Sequence, residues 1–538
     1  MVVLTLYNPM RYSLSAVSAC VVLLATQPLS ALEIRSYSAS RHDRFTGFPD
    51  SPVVNGSSWF TGSLYTGVGW SVSDTRRQFA LVSPRHFVLP SHWGISAGEQ
   101  IRFLGSDGQT HTFTVASTTQ IATTADTTDL TLGRFTETVP LSAGVSPFAY
   151  LKLQNQFQYL NRSLQVFGFN ARVGSGTTAA FVDAAVSGTT RLIRFDYVIA
   201  AGGQDDCYFA VGDSGSPSFS INNGKPALVG THTAVDGNDP TTPTIYYNYD
   251  TFVPQYITEL NALMATDGWQ MTPSNAASNT LTRSSSSTPS TLQQAHAGSA
   301  TFTVQNASNA ANNLRLSLTF PSGTAPDSVT ADGWIVDTSG PLSWSFHKQS
   351  LTASTSLSVT ANWSSVPAVS SMAVQMATQS DGSAMASSTF TFTPQPTFAA
   401  WSAGLSQSGL TDDPDGDGVP NVREYAFGSD PSSGSSVNAA GVVAIPVLSQ
   451  SGTNVLLRFP VRSDSATRGL WYRPEYSQTL NNDWTETVPA GTTTSFAEYS
   501  PAVAGFMEET VTIPVSGTNQ FVRVKVTLDE SSPGMSVP

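Results

Sequence analysis

CYFAVGDSGSPSF, Cys207 to Phe219, sets a serine between glycines at the end of an otherwise apolar run. Gly212 and Gly215 carry no Cβ, so the chain beside Ser214 can take turn geometry, aim its amides inward and let a carbonyl group approach closely. Ser214 therefore reads as a nucleophile, with the amides of Gly212 and Ser214 as an oxyanion hole. Each such donor stabilises a tetrahedral intermediate by roughly 3 kcal/mol. Standing alone, the same letters also suit a turn between two strands.

A hydroxyl at its free pKa is a poor nucleophile and needs a base, which needs a carboxylate to orient it. Both lie upstream. ALVSPRHFVLPSHW, Ala80 to Trp93, is an apolar strand pattern running into His92, and TTDLTLGRF, Thr127 to Phe135, sets Asp129 at the start of a strand. His86 and Asp126 compete for the two roles. Only Asp129 directly precedes the alternating Leu130, Leu132 pattern.

In the order His92, Asp129, Ser214, the three stretches resemble the trypsin/chymotrypsin-like serine protease family. The resemblance covers roughly Val53 to Pro254 and is specific in those stretches. It implies a double antiparallel β-barrel and hydrolysis of a polypeptide substrate through an acyl-enzyme. Pro90 and Ser91 stand where the family has alanines, and Trp93 where it has a cysteine; that change removes a disulfide and no catalytic group. In such enzymes a segment like SPVVNG, Ser51 to Gly56, is freed by cleavage, and its amine pairs with the aspartate before the nucleophile, here Asp213. No Arg or Lys precedes Val53, so a plain strand start is the reading taken. The resemblance puts Tyr208 at the base of the primary pocket, where no carboxylate would meet a Lys or Arg side chain. GTH, Gly230 to His232, resembles the stretch with which glutamate-specific relatives meet substrate, and a packed strand histidine is the alternative for His232.

The whole chain has 538 residues, a length that suits several domains, each able to bury a core. Charged residues make up 12% and the net charge is −13, which leaves no basic patch for nucleic acid. Short runs rich in Thr, Val and Phe, broken by Gly, Pro and Asn, predict mostly β structure. Residues 1–31 read as a secretory signal cleaved after Ala31, with an apolar stretch too short to span a membrane. Cleavage removes Cys20 and leaves Cys207 alone, so the exported chain has no internal disulfide.

The expected organisation is a protease domain over 32–266, ending in a helix, a Ser/Thr-rich flexible linker over 267–300 and a β-sandwich over 301–394. A calcium-loop segment over 395–432 and a β domain over 433–538 follow. DPDGDGVPNVRE fits the EF-hand loop template without a gap. Asp413, Asp415 and Asp417 offer hard oxygen ligands, Val419 its carbonyl, Asn421 a side chain or water, and Glu424 a bidentate carboxylate, so Ca²⁺ is the natural occupant. The run also resembles calcium-loop modules in the tails of secreted bacterial proteins. The last β domain looks like a binding or surface-attachment unit. Together these readings predict a secreted serine endopeptidase with no cofactor in its chemistry. The rival is a non-catalytic adhesin or scaffold on a disabled protease fold.

Overall fold

Six strands, three of them buried along their whole length, close the first barrel: β1 (Val68–Ser71), β2 (Gln78–Ser83), β3 (His86–Leu89), β4 (Gln100–Leu104), β5 (Thr110–Ala122) and β6 (Thr127–Phe135), in the order β6-β3-β2-β1-β4-β5. Its interior is packed by Phe79, Phe87, Phe103, Phe113 and Phe135, among others. The computed structural model describes residues 2–3, 32–237, 244–381, 383–435, 437, 443–498, 505–515 and 520–530. The expected signal peptide lies outside them apart from Val2 and Val3.

A second ring follows: β7 (Ser163–Gly168), β8 (Arg172–Ala185), β9 (Thr189–Val198), β10 (Pro217–Asn222), β11 (Lys225–Gly237) and β12 (Ile245–Phe252). The order is β11-β10-β7-β8-β9-β12, and pairing of β12 back onto β11 closes it. Between the rings lies a shared core including Tyr65, Phe148, Phe167 and Phe219. Helix α1 (Ile257–Met264) caps that core with Leu260 and Met264. Two closed six-stranded antiparallel barrels in series are the chymotrypsin-like architecture.

The core shared by the barrels extends past Thr266, because Trp269 and Met271 are buried in it. The stretch expected as a flexible linker is largely structured. β13 (Leu281–Thr288) pairs residue by residue with β14 (Gly298–Asn306), forming one edge of a four-stranded sheet. Its alternation is half-buried Leu281, Arg283, Ser285 against exposed Thr282, Ser284, so ladder hydrogen bonds rather than apolar burial hold it. Beside that sheet lies a five-stranded one: β15 (Ala311–Thr319) at its centre, flanked by β18 (Ser343–Leu351) and β20 (Met372–Gln379), with β17 (Ile335–Ser339) and β21 (Ala386–Phe392) at the edges. The four-stranded sheet is completed by β19 (Thr355–Trp363) and β16 (Ser328–Thr330). The two sheets enclose a core with Phe302, Leu316, Phe346, Val359 and Val374.

The calcium-loop segment and the last β domain form one body. Tyr425, Ala426 and Phe427 of helix α2 (Asn421–Phe427) share a core with Phe398, Phe459, Tyr472 and Val511. Its strands are β22 (Val447–Ser451), β23 (Asn454–Arg462), β24 (Leu470–Ser477), β25 (Thr493–Ala497), β26 (Phe506–Pro514) and β27 (Phe521–Leu528). They form a four-stranded sheet, β22-β23-β26-β25, and a pair, β24-β27.

Candidate active site

Strand β3 is buried throughout, and Pro90 ends it because proline cannot donate to the ladder. The turn that follows is tied to β6: Ser91 Oγ donates to the Thr128 carbonyl at 3.1 Å and lies 2.8 Å from Thr131 Oγ1. His92 comes next. Its backbone amide donates to Asp129 Oδ1 at 2.9 Å and its Nδ1 lies 2.7 Å from Oδ2. Asp129 is fully buried at a break in the β6–β5 register, where its amide donates to Thr190 Oγ1 and its carbonyl accepts from Thr251 Oγ1. The carboxylate thus fixes both the position and the ring orientation of His92.

The competing residues are employed elsewhere. His86 is buried between Ser83 Oγ, 2.9 Å from Nδ1, and Asp267, 3.2 Å from Nε2. Burial pushes its pKa down to about 4. Asp126 is exposed and accepts from the Thr127 and Thr189 amides.

Ser214 is almost fully buried, between Gly212 at φ +109° and Gly215 at φ +86°. A Cβ on Gly215 would stand 2.6 Å from Pro90 Cδ, and one on Gly212 would lie 3.8 Å from Trp93 Cη2. Those two neighbours lie on either side of His92 in sequence, so the Ser214 turn is seated against the histidine turn. His92 Nε2 and Ser214 Oγ are both buried without a hydrogen-bond partner. No bond joins them in this state; catalytic hydrogen bonds often tighten only with substrate in place. Around Ser214, the Asp213 amide donates to Ala210 O, the Gly215 amide to His232 O and the Ser216 amide to Asp213 O. Among the described residues nothing accepts from the Gly212 and Ser214 amides, the pair named for the oxyanion hole.

Asp213 is buried and turned inward, accepting from the Phe169 and Ala210 amides at 2.7 Å each and from the Leu32 amide. Burial, opposed by those bonds and by His232, leaves its pKa pushed up to about 6. The pairing that the resemblance implies for a cleaved segment at Val53 is not made. Val53 is 62% exposed and Val53–Val54 pairs with Phe45–Thr46, while fully buried Leu32 stands beside Asp213. The segment after Leu32 straps down the loop before Ser214. Glu33–Ile34 pairs with Cys207–Tyr208, the Arg35 guanidinium donates to the carbonyls of Val198, Ile199 and Ala201, and Arg41 grips Asp205. Sequence reasoning missed this role; the one available signal was that Leu32 follows the expected cleavage site.

Of the two pocket residues, Tyr208 is half-buried and stacks in parallel on Tyr246, ring centres 4.1 Å apart. Asp205 is held by Arg41 and His42, and Asp206 by Ser175 Oγ and the Gly203 amide. Of the two readings of His232, its contacts fit the packed one. It is buried, stacked on Phe209 at 3.8 Å, with Nδ1 2.7 Å from Asp250 and Nε2 2.5 Å from the Phe167 carbonyl. Both ring nitrogens are consumed by the fold, so it is a packed strand histidine rather than a group that meets substrate.

Far from this cleft, the side-chain oxygens of Asp413, Asp415 and Asp417 lie within 4.8 Å of one another. Gly416 and Gly418, at φ +75° and +88°, bend the loop and donate their amides to Asp413. Val419 donates its amide to Asp417. Asn421 and Glu424 are fully buried, and Asn421 Oδ1, Glu424 Oε2 and Asp415 Oδ2 lack any partner. Burial, then the charges of Asp415, Asp417 and Asp413, push Glu424 up to about 7. Crowded acceptors, three of their oxygens without a donor, fit a hard cation.

The double barrel is a chymotrypsin-like fold, and in it a buried His–Asp pair is set against a glycine-flanked serine. No protein-family model and no curated protein matches the chain. Among solved structures it is similar to the secreted serine protease VesC from Vibrio cholerae, with 9% identity over 87% of this chain and 97% of that one, at a TM-score of 0.27. So low a score leaves the fold and the site of this chain to stand on their own geometry.

Proposed function

We propose that the chain is a secreted serine endopeptidase. One observation carries the reading: among the buried, unpartnered side-chain atoms of the described residues are the hydroxyl of Ser214 and the second nitrogen of a histidine whose first is held by a buried aspartate. In this chemistry Ser214 Oγ attacks the peptide carbonyl while His92 takes its proton and passes it to the leaving amine. Asp129 orients the imidazole and stabilises its cation. The free amides of Gly212 and Ser214 receive the developing oxyanion. Incubation with a phosphonate probe, followed by mass mapping, tests the reading: the adduct is expected on Ser214 and absent in His92→Ala. Labelling elsewhere, or none on folded protein, favours the adhesin or scaffold.

Removal of residues 1–31 would leave an α-amine at Leu32, whose nitrogen already reaches Asp213. A cation there would offset the burial of that carboxylate and hold the oxyanion turn. Export and activation would then be one cleavage. At the primary pocket, neither Asp205 nor Asp206 is free to meet a cationic side chain, so the reading favours apolar or small residues before the cut bond. The C-terminal loop is read as a Ca²⁺ site, with Asp413, Asp415, Asp417 and Glu424 as the residues that would hold the ion and Asn421 beside them. The ion would supply structure and no catalytic step. No helix among the described residues is long and apolar enough to cross a membrane. Retention at a cell surface through the C-terminal body stays part of the proposal.

A further inference from the structure

The cation loop leads, one residue beyond its last ligand, into the seam between the C-terminal body and the middle sandwich. Glu424 and Tyr425 are consecutive on α2. Tyr425 Oη donates to the Pro396 carbonyl at 2.9 Å and accepts from Arg468 Nη1 at 2.7 Å. The buried Arg468 guanidinium also reaches Gln395 Oε1 at 2.6 Å and is charge-paired with Asp464 at 2.8 Å. Gln395, in turn, is stitched into the sandwich: its amide donates to Leu292 O and its carbonyl accepts from the Gln294 amide. A second stitch runs alongside, where Phe398 N donates to Glu530 Oε1 and His296 Nε2 lies 2.7 Å from the Glu530 carbonyl. α2 is thus common to the ion loop and to the domain contact.

Seven residues of helix make two turns, too short to stand without tertiary support. Glu424 Oε2 is buried without a donor, on the helix that follows a loop whose Asp413, Asp415 and Asp417 oxygens crowd within 4.8 Å of one another. Left so, mutual repulsion favours swinging Glu424 outward. Any such rotation of α2 carries Tyr425 off Pro396 and deprives buried Arg468 of an acceptor, a costly loss for a desolvated charge. A cation removes the repulsion and pins the helix.

Resting on the calcium reading above, we propose that a divalent cation bound by Asp413, Asp415, Asp417 and Glu424 is a latch that holds the C-terminal body against the middle sandwich. It works through α2, Tyr425, Arg468 and Gln395. Docking, and with it the direction in which the C-terminal body is presented, then follows the calcium concentration.

The test uses the full exported chain in a Ser214→Ala background, so that no self-cleavage intrudes. The chain is stripped with chelator and titrated with CaCl₂, MgCl₂ serving as comparator. Calorimetry reads binding; limited proteolysis of segment 393–397 and the radius of gyration read docking. At calcium about a hundred times its dissociation constant, mass action predicts an approximately hundredfold rise in the docked-to-open ratio, seen as slower cleavage and a smaller radius. Asp415→Asn should lose binding and protection together. Gln395→Ala should keep binding while losing most of the protection. Calcium that binds without altering cleavage or radius overturns the latch and leaves the ion site standing. A folded chain that binds no calcium overturns both.

Discussion

His92 and His232 each set Nδ1 2.7 Å from a buried aspartate, Asp129 in one case and Asp250 in the other. Yet the two rings end in different employment. His232 spends its second nitrogen on the Phe167 carbonyl and its face on Phe209, while the second nitrogen of His92 stays unpartnered beside the Ser214 turn. A third pair repeats the structural version: His347 lies 2.9 Å from Asp337, with Nε2 2.7 Å from the Asp267 carbonyl and its ring stacked on Trp269. An aspartate on Nδ1 therefore does not mark a base. The remaining nitrogen decides, because a proton acceptor already bonded to the backbone has nothing left to offer a hydroxyl.

The largest effect should come from breaking the His92 pair. Asp129→Asn is expected to keep the fold and reduce turnover of a peptide or ester substrate by about 10⁴-fold, the loss typical when a triad aspartate no longer enforces the right tautomer. Burst kinetics with an active-site titrant check it, and near-normal turnover would remove His92 from the role of base.

The corresponding change at His232 should act on stability instead. His232→Ala strands Asp250 in the interior and is expected to cost about 3–5 kcal/mol, the scale for removing one partner of a buried charged pair. Denaturant melts measure it, and the folded fraction should still take the phosphonate on Ser214. Loss of labelling in well-folded protein would return His232 to the cleft.

Asp213 sharpens the comparison through pH. Its folded pKa of about 6 stands above the ordinary 3.8, so in a chain retaining residues before Leu32 the fold favours the neutral acid. That contribution is full below about pH 3.8 and is lost as pH rises through 6, amounting to roughly 3 kcal/mol at 1.36 kcal/mol per unit. A chain beginning at Leu32 places an ammonium beside the carboxylate and should show a smaller decline or the opposite slope. His86, lowered to about 4, removes stability in both chains as pH falls from 6.5 through 4, so it cancels in the difference. Identical pH profiles for the two chains would separate the Leu32 amine from Asp213.

The smallest expected effect is at His347→Ala, about 2 kcal/mol, since Thr138 Oγ1 still donates to the stranded Asp337. It should appear as a split of one thermal transition into two, as the sandwich loosens from the barrels. An unsplit melt would make that pair mere filler.

Three stretches of sequence were enough for the barrels and for the meeting of Ser214, His92 and Asp129 at their junction, because each of those residues sits beside a local signal: glycines at 212 and 215, a strand ending at Leu89, a strand beginning at Thr127. The partners of His232 were not legible, since Asp250 and Phe167 come from distant strands that only the closed second ring brings together. Nor was β13. A Ser/Thr run has too little apolar surface to announce a strand, and its order comes from the ladder that β14 offers. The boundary at Thr266 failed for a related reason. Gly268, at φ +73°, lets the chain turn so closely against Ile335 and His347 that Trp269 belongs to one body's core and the other body's surface at once.

Where the resembled family carries a cysteine after its histidine, this chain has Trp93, with the Arg76 guanidinium 5.4 Å over its ring. Cys207 is buried, its thiol directed at the Ser175 carbonyl and its pKa raised well above normal by burial and by nearby Asp213, Asp206 and Asp250. Stacking replaces a covalent tie, and the sulfur that remains is shielded from oxidants and metals alike. Among the described residues the two barrels therefore hold no disulfide, and a reducing solution has no covalent tie in them to cut.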